Sequence, residues 1–295
     1  KVDIIGVQMD MGAGTRGVNM GPAAIRYAGL TDGIKALGME CLDKGDLIPM
    51  ASGKTADNMR CYEQVNDINK KLYHEVMSSL ENGAFPIVLG GGHETTFGHF
   101  TGQLAHCSEV EADMGIINFD AHFDLRPYDN GASSGSMFRQ IADICSRRGI
   151  AYNYMPLGIQ QHSNTVSLFK TADELGVDYV LAKDITTASY ADLIEKIDSF
   201  LYKCNNAYIT ICTDVFSSAF APGVSATQSF GLDPEVVMPV IKHILRTKKI
   251  RGFDICEISP RFDQDNTTAN LGAVIIFAVV NTLCKLNGLQ IIDFD

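Results

Sequence analysis

A three-layer α/β/α fold around a central, mainly parallel sheet is what this sequence predicts, from two observations. Short β-rich runs alternate with longer stretches of helical periodicity along the whole chain, the pattern of strands crossed over by helices on both faces of a sheet. The 295 residues are 46% apolar, enough for one large core, and no Gly/Ser-rich linker, charge block or composition shift divides them. One domain spanning 1–295 is therefore expected.

In chain order, the first strand is expected at Val2–Gln8 and a helix at Pro22–Leu37. A longer helix runs from about Ala56 to Leu80, where Met59, Val65, Ile68, Leu72, Val76 and Leu80 recur at helical spacing and Gly83 lies past the end. Strands follow at Phe85–Leu89, Met114–Phe119, Tyr152–Leu157, Tyr179–Ala182, Ala207–Cys212 and Arg251–Ile258. The remaining helices are expected at Thr95–Leu104, Asn164–Leu175, Tyr190–Tyr202, Pro234–Thr247 and Thr267–Leu286.

Charge and composition exclude several partners. With 24 Lys+Arg against 35 Asp+Glu the net charge is −11, and no basic cluster exceeds Arg147-Arg148 or Lys248-Lys249. Nucleic acid and anionic membrane do not fit such a chain, and an anionic substrate would need local arginines. No unbroken apolar stretch reaches eighteen residues and the start reads directly into a strand, so a soluble, cytoplasmic chain is expected. Eight scattered cysteines without a CxxC pair point to reduced thiols.

Open parallel sheets bind ligands outside the C-terminal ends of their strands, so the residues after each strand carry the functional reading. They are "GGGHE" after Phe85–Leu89, "DAHFDLR" after Met114–Phe119, "CTD" after Ala207–Ile211 and "CEISP" after Arg251–Ile255. Together they supply His93, Asp120, His122, Asp124, Asp214 and Glu257, more acid and imidazole than a buried edge tolerates without a charge partner. A divalent cation is the natural partner. On extended backbone, Asp120, His122 and Asp124 would share one side, and Cys212 and Asp214 have the same spacing. A lone DxHxD is as easily a set of capping aspartates and a packed histidine; four such strand ends favour the cation. Carboxylate and imidazole suit Mn2+ or another hard-to-borderline ion, and two bridged ions generate a hydroxide nucleophile at neutral pH.

Other features are plainer. "GAGTRG" follows a strand and precedes a helix but lacks the GxGxxG spacing, so a tight turn against the sheet is expected. His99, His106, His162 and His243 have no carboxylate partner at ligand spacing, which assigns them to the surface or to packing.

"GAGTRGVNMGPAAIR" (12–26), "LGGGHE" (89–94), "NFDAHFDLR" (118–126) and "DVFSSAFAPGVSA" (214–226) together resemble the ureohydrolases, the arginase and agmatinase superfamily. Within it, "GGGHETTFGHF", "DLRP", "SSGSMFRQ" and "APGVSA" are more similar to formimidoylglutamases than to arginases. The resemblance implies an arginase-like domain, a homo-oligomer and two Mn2+ per subunit. It also implies hydrolysis of N-formimidoyl-L-glutamate, an anionic amino-acid substrate, to L-glutamate and formamide in histidine degradation. Carried over by position, His93 and Asp124 hold one ion, His122 and Asp214 the other, and Asp120 bridges them. A second bridging aspartate falls on Cys212.

Further roles follow from the chemistry such a site and substrate require. Asp214 is placed to pass a proton to the departing amine, and Glu257 matches the glutamate that pairs with the substrate amidinium. Arg126 is the candidate for the substrate carboxylate, with Ser133, Ser134 and Arg139 as secondary binding candidates; Arg139 could equally face solvent on a following helix. Cys212 is expected at the site with weak or no coordination to manganese, since a thiolate suits softer ions. Two alternatives remain: another amidine or guanidine hydrolase such as arginase, agmatinase or a guanidino-acid hydrolase, or a metal-poor non-catalytic homologue, which Cys212 favours.

Overall fold

Alternation of side chains along the strands decides the layering. The computed structural model describes residues 1–50, 58–107, 113–129 and 131–289. Its strands are β1 (Val2–Val7), β2 (Cys41–Leu47), β3 (Phe85–Leu89), β4 (Met114–Phe119), β5 (Asn153–Ile159), β6 (Val180–Leu181), β7 (Asn206–Cys212) and β8 (Ile250–Cys256). They form one eight-stranded sheet in the order β2-β1-β3-β8-β7-β4-β5-β6, and every neighbouring pair is parallel.

Ile4, Ile87, Ile117 and Ile209 point to one face, where they meet α1 (Gly21–Tyr27), α2 (Leu30–Ala36), α7 (Tyr190–Tyr202), α8 (Pro234–Arg246) and α9 (Thr267–Leu286). Their sequence neighbours Ile5, Val88, Ile116 and Tyr208 point to the other, under α3 (Asn58–Glu81), α4 (Thr96–His106), α5 (Met137–Arg148) and α6 (Val166–Glu174). The three-layer α/β/α fold is as the sequence predicts.

Several elements differ from expectation. The Pro22–Leu37 helix is two helices, because Gly29 takes φ 88° between α1 and α2. The first residues expected in the long helix, from Ala56, lie outside the described residues. The strand β2 was not expected, and α5 was anticipated only as a helix on which Arg139 could lie, without bounds. The β2 segment, CLDKGDL, is polar because it is an edge strand. The Arg26 guanidinium fixes it by two 2.8 Å bonds to Asp43 and a further one to Asp46.

By length and composition α9 could cross a membrane, but its apolar window is 56% buried within the protein, against α8, α2 and α1. Parallel pairing turns all C-terminal strand ends to one edge. The central strands β3, β8, β7 and β4 deliver their following residues side by side there.

Candidate metal centre

The run Gly90-Gly91-Gly92 carries the chain out of β3 through a space no side chain could share. A Cβ on Gly91 would lie 1.9 Å from the Met9 carbonyl oxygen, and one on Gly90 2.3 Å from Cys256 Sγ. That exit sets His93 in a single 3₁₀ turn over the end of β8, where its backbone N–H donates to Glu257 Oε1 at 2.9 Å. Glu257 itself takes φ 67°, which ends β8 and turns its carboxylate inwards.

After β4 the backbone does not stay extended, contrary to the reading of DAHFD as a continued strand. Asn164 accepts from Phe123 N–H at 3.0 Å and donates to the Ala121 carbonyl at 2.9 Å, and Tyr154 donates to the Phe123 carbonyl at 3.0 Å. The loop so held puts Asp124 at φ 50°, a left-handed conformation that aspartate tolerates better than most residues. Cys212 is the last residue of β7, and Asp214 follows in the turn Thr213–Val215.

The donors converge by these turns. Asp120 Oδ2 lies 3.1 Å from His93 Nδ1, and its Oδ1 lies 3.3 Å from His122 Nδ1. Asp124 Oδ2 is 3.1 Å from His93 Nδ1; Asp214 Oδ2 is 3.3 Å from His122 Nδ1. Two imidazole–carboxylate pairs thus flank one shared carboxylate. Cys212 Sγ joins His93 and Asp120 in a group of donor atoms all within 4.8 Å of one another, and Asp120, His122 and Asp214 form a second.

The cluster stabilises positive charge. Burial works against it, yet Asp214 and Asp120 push the His122 imidazolium up to about 12, and Asp120 and Asp124 raise His93 in the same way. Against its own burial, Asp120 is held well below the usual carboxylate range by His122 and His93. Burial, then the charge of Asp120, pushes Asp124 up to about 6; burial, then Glu94, pushes Glu257 up to about 8. Burial first, then Asp120 and Asp214, drives the Cys212 thiol well up, so it is neutral unless a cation faces it. Asp214 Oδ1 is buried and, among the described residues, has no hydrogen-bond partner. Imidazole and carboxylate in this proportion, with an orphaned oxygen, fit divalent cations.

A cavity of about 130 Å³ opens onto the cluster, lined by His93, His122, Asp124, Cys212, Asp214 and Glu257 on its floor side. Arg126, Ser134, Gly135, Gly14, Ser225 and Ala226 complete the lining. Arg126 is exposed at the lip and, among the described residues, pairs with no acid. Its backbone N–H donates to the Gly135 carbonyl at 2.9 Å.

Two candidates fall away from the cavity. Arg139 lies on α5 and leans 3.7 Å from Asp143 one turn on, and Ser133 turns its hydroxyl to Ser136 at 3.4 Å. His99, assigned to the surface or to packing, is packed, but with a carboxylate partner: its Nδ1 is 2.9 Å from Asp254 Oδ2. His243 likewise has one, with its Nε2 2.7 Å from Asp198 Oδ1.

Residues not singled out from the sequence also shape the site. Ser225 donates to Glu257 Oε2 at 3.3 Å. Glu94 Oε1 accepts from Gly12 N–H at 3.1 Å, so the GAGTRG turn leans over the site and places Gly14 in its wall. The position of Ser225 within "APGVSA" was the available signal; Glu94 had only its adjacency to His93.

Fold and cluster together define a three-layer α/β protein with a site suited to cations at the C-terminal edge of its sheet. The chain belongs to the arginase family, which it matches over residues 1–281. It is 53% identical over 230 residues to a formimidoylglutamase of Clostridium tetani (strain Massachusetts / E88), covering 77% of this chain and 67% of that protein. Its fold is shared by the arginase of Bacillus subtilis, with TM-score 0.82, 24% identity and coverage of 95% and 98% of the two chains. A formiminoglutamase variant of Trypanosoma cruzi, solved with Mn2+, superimposes with TM-score 0.77 at 22% identity over 96% of this chain and 92% of that one.

Proposed function

We propose that this chain, acting as one catalytic domain, hydrolyses the amidine C–N bond of N-formimidoyl-L-glutamate to give L-glutamate and formamide. One observation carries the reading. A single cavity has a carboxylate, Glu257, beside the imidazoles and, at its lip, the guanidinium of Arg126, which pairs with no acid among the described residues. An amidinium beside Glu257 favours its ionised form against the burial that raises it, so the two groups offer opposite charges to a substrate that is cationic at its amidine and anionic at its glutamate. The 53% identity to a formimidoylglutamase supports it.

His93 and Asp124 would hold one cation, His122 and Asp214 the other, with Asp120 shared. When bound, a pair of Mn2+ ions supplies a deprotonated water and polarisation of the amidine carbon. Glu257, fixed by His93 N–H and the Ser225 hydroxyl, holds the amidinium so that its carbon faces the nucleophile. The orphaned Asp214 Oδ1 accepts the hydroxyl proton of the tetrahedral intermediate and returns it to the departing amine of glutamate. Arg126 takes a substrate carboxylate, with Ser134 beside it. A cytoplasmic homo-oligomer working in histidine degradation belongs to the same reading.

The test is to incubate the protein with formimidoylglutamate, arginine and agmatine while counting bound manganese and zinc. Glutamate release with two metals per chain is the expected result. Release only from arginine or agmatine would transfer the assignment to another amidine hydrolase; no release and no retained metal would sink both.

Two variants refine it. A charge-assisted hydrogen bond contributes about 1.5–3 kcal/mol, so Arg126→Ala should raise KM for formimidoylglutamate roughly tenfold to a hundredfold, and change that for agmatine little. Equal effects on both would remove Arg126 from the carboxylate. Cys212→Asp should tighten the weaker cation by restoring a bridging carboxylate in place of a buried neutral thiol. Unchanged binding in a calorimetric titration would show that position 212 does not face the metals.

A further inference from the structure

Beneath the centre, under α4, the sheet face turns polar where it is most deeply buried. Thr210 on β7 and Asp254 on β8 are in register. With Thr96, His99 and Tyr208 they form a cluster that is 0% exposed throughout. His93 Nε2 is 2.8 Å from Thr210 Oγ1, Thr210 Oγ1 is 3.3 Å from Thr96 Oγ1, and Thr96 Oγ1 is 3.5 Å from Asp254 Oδ2. His99 Nδ1, at 2.9 Å, and the Tyr208 hydroxyl bond the same carboxylate oxygen. None of these five residues lines the cavity, and the proposed chemistry uses none of them.

We infer that Thr210 and Asp254 are positioning residues that fix the tautomer of His93, an inference that rests on the metal-centre reading. A carboxylate accepts and does not donate. With Asp254 at the end of the row, the Thr96 hydroxyl points its proton to Asp254, leaving its lone pairs for the Thr210 hydroxyl. Thr210 then accepts from His93 at Nε2. When a cation replaces the Nδ1 proton that Asp120 and Asp124 otherwise favour, the ring proton stays on Nε2 and the Nδ1 lone pair is left for the cation. The distant partner of a metal-ligating imidazole ordinarily sets which nitrogen binds; here two hydroxyls stand between that partner and the ring. Reversed, the row would put the proton on Nδ1, in the cation's place.

The test uses the full chain, with Mn2+ for affinity and Zn2+ with ¹⁵N-labelled histidine for tautomers. Thr210→Val keeps the shape and deletes the acceptor; it should weaken one of two cations roughly tenfold to a hundredfold and leave the other unchanged. Thr210→Ser should restore wild-type affinity. In the zinc-loaded wild type the His93 signal should be that of the Nε2–H tautomer, and in Asp254→Asn it should be lost or mixed, because an amide can donate back along the row. A folded Thr210→Val variant that binds both cations as tightly as wild type, or a serine variant as weak as the valine one, overturns the relay alone. A wild-type chain that binds no cation overturns the centre and the relay together. Should Asp254→Asn fail to fold, the valine and serine pair decides the matter.

Discussion

In an Asp120→Asn variant, cation affinity is expected to fall by roughly a hundredfold to a few thousandfold, with turnover falling alongside, since breaking one partner out of a buried charge pair costs about 3–5 kcal/mol. Among the described residues, Asp120 is the side chain that offers one oxygen to each imidazole, at 3.1 and 3.3 Å. It also holds the loop, accepting from His122 N–H at 2.8 Å and from Asn118 Nδ2 at 3.2 Å. Asparagine preserves size and one carbonyl oxygen, so the fold should persist while the charge shared by both halves of the centre is gone. Metal counting with circular dichroism as the control is the measurement. A folded variant that loads two metals and turns over normally would refute the bridging role.

Glu257→Gln should give the converse pattern, with metals retained and catalysis lost. Truncating one partner of a buried, hydrogen-bonded charge pair costs about 2–5 kcal/mol, so kcat/KM should drop from roughly thirtyfold to a few thousandfold. Glutamine keeps an oxygen for His93 N–H, and its amide can donate to the Ser225 hydroxyl, so both local contacts survive the change. What disappears is the negative charge offered to an amidinium. Loss of metal together with activity would instead make Glu257 a structural support of the His93 turn. Near-normal turnover would remove it from substrate binding.

The layers were legible because buried strands and amphipathic helices carry strong periodic signals. β2 was not, since Cys41–Leu47 is stabilised by Arg26 reaching over from α1, a contact far in sequence that no local pattern announces. The α5 helix could have been found: Met137, Phe138, Ile141 and Cys145 are buried at helical spacing and Gly149 closes it at φ 65°.

The four strand ends of the site were readable as acid and imidazole clusters, but the reason they converge was not. Backbone turns at Asp124 and Glu257, both with positive φ, do what an extended strand was expected to do. Asn164 and Tyr154, which hold the Asp120–Asp124 loop, and Thr210 and Asp254, which lie beneath His93, looked like ordinary core residues in sequence. Their importance comes from neighbours far along the chain.

The sheet order carries a consequence for assembly. Among the described residues β8 is the last strand in chain order, yet it lies between β3 and β7. Until residues 250–256 have been synthesised, β2-β1-β3 and β7-β4-β5-β6 are separate half-sheets, each with an open edge that can pair with another chain. His93 belongs to one half and Asp120, His122, Asp124 and Asp214 to the other. The loop-closure entropy of joining them falls on one late strand. A complete centre therefore waits for β8, and until that strand inserts both half-sheets keep an edge open to pairing with another chain.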